Sequence, residues 1–311
     1  MSSAQLFQLF TVVGALVTLK ASYDLISFLY FHFLSPAKYH RYLYGDAPYA
    51  LVTGATDGIG KGIAKELYKK GFNLVIHGRN PEKLKKVREE ILSSSDSKRD
   101  VRLWIADASA PDVDFASAIK EWEDVEITLV IHNVGGSEMK DVRFDAVPES
   151  TLLSDLRLNA IFPWLLTRAL LPKLRTSHGP VELIFVGSVS GELPIPGLNP
   201  YGAAKAFLRQ LSSAIGADEQ FRQPTNVTTS YLLVGSVVSN NHRAASGLFV
   251  PDAQPFAKSV VAKIGSMRSV VVPYVWHALQ LWGVGLLPVS VLKKTVADAS
   301  EEELLLKVKY A

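Results

Sequence analysis

The chain reads as an α/β protein with a doubly wound parallel sheet, preceded by an N-terminal membrane-anchor helix. Three features of the sequence lead there. Short apolar runs alternate with amphipathic stretches between residues 49 and 234, an apolar run at residues 5–34 opens the chain, and the first strand-like run passes directly into a glycine-rich turn. Alternation of this kind is the rhythm of βαβ units, whose helices cover both faces of a parallel sheet. Strands are expected at 49–53, 73–77, 101–105, 127–132, 181–187 and 227–234, with helices at 151–175 and 201–220. The charged segment 82–100 keeps apolar spacing at Leu84, Val87, Ile91 and Leu92, so it reads as a solvated helix followed by a loop.

Bulk composition narrows the function. The 311 residues accommodate one α/β core plus an anchor, divided as anchor and linker 1–45, catalytic domain 46–269, and apolar membrane-proximal segment with tail 270–311. Hydrophobic residues make up 48% and the mean hydropathy is +0.16, high for a protein in water alone. A net charge of +3 with scattered Lys and Arg argues against nucleic acid as a partner. The absence of cysteine excludes disulfides, thiolate nucleophiles and Cys-ligated zinc. His77, His132 and His277 have no metal-ligand spacing, so no metal is expected.

Residues 5–34 are long enough to cross a bilayer, interrupted by Lys20 and Asp24, which share a helical face and can pair. The first nineteen residues carry no Lys or Arg, unlike a cleaved signal peptide. Lys38 and Arg41 follow the run and favour a cytosolic catalytic domain. A second apolar stretch, 270–292, is broken by Pro273, His277, Gln280 and Pro288; its Tyr274, Trp276 and Trp282 suit either a membrane interface or core packing. Lys307 and Lys309 resemble a dilysine retrieval signal of the endoplasmic reticulum, which is read from the cytosol.

The turn after the first strand contains Gly54, Gly58 and Gly60 and runs into a helix. There the backbone can approach a pyrophosphate that the helix N-terminus stabilises. After the second strand stands Arg79, with no carboxylate in His77-Gly78-Arg79-Asn80, which suits the 2′-phosphate of NADPH better than the bare ribose of NADH. Tyr201 and Lys205, four apart on a helix opened by Pro200, project together. A phenol beside an ammonium can serve as the proton donor in a ketone reduction, and Ser188, at the end of the fifth strand, can hydrogen-bond the forming oxyanion. Taken singly, each has an ordinary alternative: a plain turn, a surface arginine, a capping serine, a lysine covering a tyrosine.

Together, the Gly-x-x-x-Gly-x-Gly turn, Ser188 and Tyr201-x-x-x-Lys205 resemble the short-chain dehydrogenases/reductases. Strings at Asn133, Tyr201, Ser230, Leu248 and Pro273 look like those of very-long-chain 3-oxoacyl-CoA reductases and related 17β-hydroxysteroid dehydrogenases. The resemblance implies a Rossmann fold and a tetrad of Asn159, Ser188, Tyr201 and Lys205, with Asn159 holding a proton-relay water. It implies NADPH/NADP+ contacts from Gly54, Thr56, Asp57, Gly58, Ile59, Gly60, Arg79, Asp107, Asn133, Tyr201, Lys205, Val234 and Ser236. The chain departs from the family at His132, where an Asn is usual, and at Val234-Gly235, where Pro-Gly is usual. The implied reaction is reduction of a long-chain 3-oxoacyl-CoA to the 3-hydroxyacyl-CoA in fatty-acid elongation, at the endoplasmic reticulum membrane with the catalytic domain in the cytosol. Other elongation enzymes and a second copy of the chain are partners that the resemblance allows. A reductase of a steroid or specialised lipid ketone would share this cofactor and tetrad, with specificity in region 236–270. A non-catalytic scaffold of a lipid-synthesis complex is the reading from another class.

Overall fold

The computed structural model describes residues 2–95, 98–137, 139, 142–240, 242 and 244–310, without the side chains of 302–310; Lys307 and Lys309 therefore lie outside the described side chains. The chain forms two compact units, one ending at Pro36 and one beginning at Ala37. The first is α1 (Ser3–Leu29), extended by a π-helical turn at Tyr30–Leu34. Ser2 and Gln5 cap its N-terminus reciprocally, and no α1 residue is buried. By length and composition, Ser3–Leu34 can cross a membrane. Lys20 Nζ lies 2.7 Å from Asp24 Oδ2, the i,i+4 pairing expected from the sequence.

In the second unit, β1 (Pro48–Val52) leads into α2 (Gly58–Lys70), then β2 (Asn73–Gly78), α3 (Pro81–Leu92), β3 (Val101–Ile105), α4 (Phe115–Glu121) and β4 (Glu126–His132). After β4 come α5 (Glu149–Leu156), a π-helical turn (Arg157–Ile161), α6 (Phe162–Arg175), β5 (Val181–Val186), α7 (Asn199–Ala217) and β6 (Val227–Leu232). The remainder is α8 (Ala253–Lys263), β7 (Val270–Val271), α9 (Val275–Val284) and α10 (Val289–Tyr310). All strands run parallel in the order β3-β2-β1-β4-β5-β6-β7. Every residue of β1 and β5 is buried, as continuous apolar strands covered on both faces require. The order reverses direction between β1 and β4, opening a crevice at their C-terminal ends.

Local chemistry sets the helix limits. Asn80 Oδ1 accepts from Lys83 N–H at 2.9 Å and Pro81 follows, so α3 starts there. Gly71 takes a left-handed conformation and stops α2. Over the β3 side of the sheet the Trp104 ring packs 5.1 Å from Trp122, 5.5 Å from Phe162 and 4.5 Å from His77.

The expected domain limits fall inside the second unit. Residues 37–45, read from the sequence as linker, pack into it: Tyr42 is 1% exposed and hydrogen-bonds Glu182 of β5. Glu182 also accepts from Ser230 Oγ at 2.9 Å and Gly265 N–H at 2.9 Å. Segment 270–292, read as membrane-proximal, begins with a seventh strand too short to leave a periodic signal, and continues as α9, which buries His277. The expected helix 151–175 is broken by the π-helical turn, because an extra residue is accommodated around Asn159.

Trp104→Ala should lower unfolding stability by about 3–5 kcal/mol, since it empties the centre of this ring cluster. Chemical denaturation of the detergent-solubilised protein, followed by tryptophan fluorescence, measures it.

Candidate active site

The C-terminal ends of β1, β4, β5 and β6 meet around the crevice. At β1, Gly54 and Gly58 both have positive φ, and the turn doubles back so tightly that a Cβ on Gly60 would lie 2.3 Å from the Gly54 carbonyl oxygen. Asn133, just past β4, clamps this turn from below: its Nδ2 donates to the carbonyls of Thr53 at 3.1 Å and Gly54 at 3.2 Å. Asn133 thus shapes the turn from beneath. Thr53 Oγ1 accepts from the N–H groups of Asn133 and Val134, both at 3.0 Å, which locks β1 to β4 at the crevice.

The N-terminus of α2 has no side-chain cap, because the Asp57 carboxylate turns away and accepts from Asn240 N–H at 3.1 Å. The uncapped amides and their dipole suit an anion such as a dinucleotide pyrophosphate. Ile59 is partly exposed at the start of the same helix. Thr56 lies against Gly78, where a Cβ would meet Thr56 Cγ2 at 2.5 Å. Arg79 is exposed at the end of β2, and its guanidinium helps hold the Asp107 carboxyl below the usual range, after the stronger effect of Ser109, whose Oγ donates to Asp107 at 2.7 Å.

His77 and His132 both point into the core. His77 Nδ1 accepts from Gly54 N–H at 3.3 Å and its Nε2 lies 3.1 Å from the Ala106 carbonyl, so this ring supports the glycine turn from β2. Burial lowers its pKa to about 4, which keeps it neutral at physiological pH. His132 hydrogen-bonds Thr167 Oγ1 at 2.9 Å and stacks on Phe185, and burial takes its pKa down to about 3. At this departure from the family pattern the side chain fastens β4 to α6, while the turn itself is held by Asn133.

The four residues expected to form a tetrad come together above β4 and β5. Asn159 is fully buried: its Oδ1 accepts from Gly136 N–H at 2.9 Å, and its Nδ2 donates to the carbonyls of Gly136 and Asp155, each at 2.9 Å. Lys205 is 3% exposed, donates to the Val186 carbonyl at 2.9 Å and lies 5.4 Å from the centre of the Tyr201 ring. Gly135 separates Asn159 from Lys205, and a Cβ there would lie 2.7 Å from Asn159 Oδ1 and 3.1 Å from Lys205 Nζ. Tyr201 hydrogen-bonds the Ser188 hydroxyl.

Burial raises the Tyr201 pKa, the Ser188 hydrogen bond opposes that rise, and burial lowers Lys205 to about 8. The amine is therefore poised to change charge close to neutral pH.

Two residues not anticipated from the sequence shape Ser188. Ser190 donates its N–H at 3.2 Å and its Oγ–H at 2.9 Å to Ser188 Oγ. A hydroxyl has two acceptor lone pairs, so with both taken the Ser188 proton is left to point toward Tyr201 and the crevice. Tyr231 of β6 accepts the Ser188 N–H at 3.2 Å and donates to the Lys205 carbonyl at 3.1 Å, tying the serine's strand end to the lysine's helix. The missed signal for Ser190 was its place two residues after Ser188. Tyr231 had none, because its partners are 43 and 26 residues distant.

Val234 is buried and its carbonyl accepts from Val189 N–H at 2.9 Å, beside Ser188; Ser236 is exposed at the crevice edge.

Ser190→Ala should lower kcat about tenfold with KM little changed, and Ser190→Thr should restore most of it, as steady-state kinetics would show. If Lys205 acts as the ammonium, present below about pH 8, kcat/KM for ketone reduction should fall as pH rises through about 8. A pH profile checks this, and a rate flat to pH 10 would exclude it.

A family model described as short chain dehydrogenase matches residues 48–246. A Kluyveromyces lactis protein named very-long-chain 3-oxoacyl-CoA reductase is 34% identical over 233 residues, which cover 73% of this chain and 66% of that protein. A protein of the same name from Coccidioides immitis is 28% identical over 278 residues, covering 87% of this chain and 78% of the other. Among solved structures, a short-chain dehydrogenase from Sphingobium yanoikuyae in complex with NADPH superposes with a TM-score of 0.64 at 24% identity, covering 77% of this chain and 94% of that one. With the match spanning β1 through β6 and the crevice built as described, this chain belongs to the short-chain dehydrogenase family.

Proposed function

We propose that the protein is a membrane-anchored, NADPH-dependent reductase of very-long-chain 3-oxoacyl-CoA, acting in fatty-acid elongation. The observation that carries the reading is the approach of Asn159 to Lys205 across Gly135 and of Tyr201 to both Lys205 and Ser188, beside the glycine-turn crevice. The names of the fungal relatives supply the substrate class. The uncapped α2 N-terminus and the close approach at Gly60 fit a pyrophosphate, and Arg79, exposed after β2, suits the extra phosphate of NADPH. Thr56, Asp57, Ile59, Asp107, Asn133, Val234 and Ser236 complete the cofactor's surroundings in this reading.

NADPH, when bound, supplies the hydride to the 3-oxo carbon. Ser188 donates a hydrogen bond to the carbonyl oxygen as negative charge grows on it. Tyr201 gives its phenolic proton to that oxygen, yielding the 3-hydroxyl. The Lys205 ammonium steadies the phenolate left behind, and Asn159, fixed by its bonds to both polar groups of the Gly136 backbone, would hold the relay water that returns a proton to this end of the site. Hydride plus proton balance the conversion of C=O to CH–OH.

Residues 3–34 serve as the anchor that keeps the enzyme where its insoluble substrate resides. Leu248, Phe249, Trp282 and Leu286 leave apolar surface exposed that suits a lipid interface. In this reading the protein is retained in the endoplasmic reticulum with the catalytic unit in the cytosol, which the Lys307/Lys309 pattern supports. Assembly with other elongation enzymes or with a second copy is compatible with it.

Membranes containing the protein should oxidise NADPH much faster than NADH when given a long-chain 3-oxoacyl-CoA. Tyr201→Phe should lower that rate by a factor on the order of 10³. Turnover of a steroid ketone alone would overturn the substrate, and full activity of Tyr201→Phe would overturn the mechanism.

A further inference from the structure

The loop leaving β6 carries Gly235 and Ser236 immediately after Val234, whose carbonyl is bonded to the residue following Ser188. This is the segment in which the chain lacks the usual proline. His277 of α9 engages it at two points: Nδ1 lies 3.3 Å from the Gly235 N–H, and Nε2 lies 3.1 Å from the Ser236 carbonyl. An amide N–H can only donate and a carbonyl can only accept, so the ring must be the neutral Nε2–H tautomer. The imidazole is fully buried, which disfavours the protonated form that could not accept from Gly235.

Steric fit supports the same role. A Cβ on Gly235 would come within 3.0 Å of the His277 ring, so loop and ring are in direct contact. Tyr274 at 5.0 Å and Phe256 at 5.6 Å hold the ring on its other sides. His77 makes the same pair of contacts at the opposite lip of the crevice, accepting from Gly54 N–H and facing the Ala106 carbonyl.

We propose that His277 is a positioning residue that staples the Gly235–Ser236 loop in the shape needed at the nicotinamide end of the crevice, supplying through two hydrogen bonds the rigidity that a proline would otherwise give. The inference rests on the reading of the crevice as a nicotinamide dinucleotide site. Its consequence is specific to one half of the ligand: the loop stands next to Ser188, on the far side of the crevice strands from Arg79 and the adenine end.

The test measures binding of NADPH and of adenosine 2′,5′-bisphosphate, which carries only the adenine half, to the detergent-solubilised full chain by calorimetry. His277→Phe keeps the ring volume and loses both bonds; His277→Asn keeps an acceptor near the Gly235 N–H. His277→Phe should raise the NADPH Kd about tenfold, equivalent to ~1.4 kcal/mol, and leave the adenosine bisphosphate Kd within about twofold. His277→Asn should fall between wild type and His277→Phe. Unchanged NADPH binding in His277→Phe, or equal losses for both ligands, overturns the role. A wild-type protein that binds neither ligand overturns the cofactor reading instead.

Discussion

Lys205 brings an amine to the crevice almost out of contact with water, where it donates to the Val186 carbonyl. Burying a charge there is unfavourable unless the surroundings are organised for it, and burial accordingly draws the amine's pKa down to about 8. Much of the neighbouring architecture serves that placement. α7 carries Lys205 and Tyr201 one turn apart, β5 offers the carbonyl, Gly135 leaves room for Nζ, and Tyr231 ties the lysine backbone to Ser188. A small shift in any of these would move the amine relative to the phenol whose proton it governs.

Polar side chains turned inward do much of the positioning around the crevice. Asn133 holds the glycine turn, Asn159 bridges both sides of Gly136, and His77 and His277 each grip a loop glycine from beneath. Each group has its hydrogen-bonding capacity directed at backbone, leaving the crevice face to the amides and to Ser188, Tyr201 and Lys205. Such networks rigidify a site when fully satisfied and weaken it when one partner is lost. The buried histidines remain neutral, which suits a scaffold in which an added proton would break a bond to a loop.

Periodicity made much of the fold readable. The six longer strands were expected within one or two residues of their observed limits because each is a short run rich in apolar and β-branched residues, and the glycine turn, Ser188 and the Tyr201/Lys205 spacing stood out because each is a local pattern. β7 escaped notice because two residues carry no period, and the π-helical turn at Asn159 because one extra residue barely disturbs the spacing of apolar positions. The limits expected at 45 and 270 both lie within the second compact unit. Composition marks where a chain becomes more apolar, whereas Tyr42 and His277 join the catalytic unit through partners more than forty residues away, Glu182 and Gly235.

By itself the sequence determined the alternating α/β order, the membrane-length helix, the phosphate-suited turn and the Tyr201/Lys205 spacing, since all of these depend on neighbours within one strand, one helix turn or one loop, while the full tetrad came from the family resemblance. Only the tertiary structure decided that Ser190 turns the Ser188 proton outward, that Tyr231 and Gly135 set the lysine's place, that His132 faces the core, and that His277 supports the β6 loop. Those outcomes depend on which distant strands and helices pack side by side, and hydrogen bonds across such contacts leave no periodic trace along the chain.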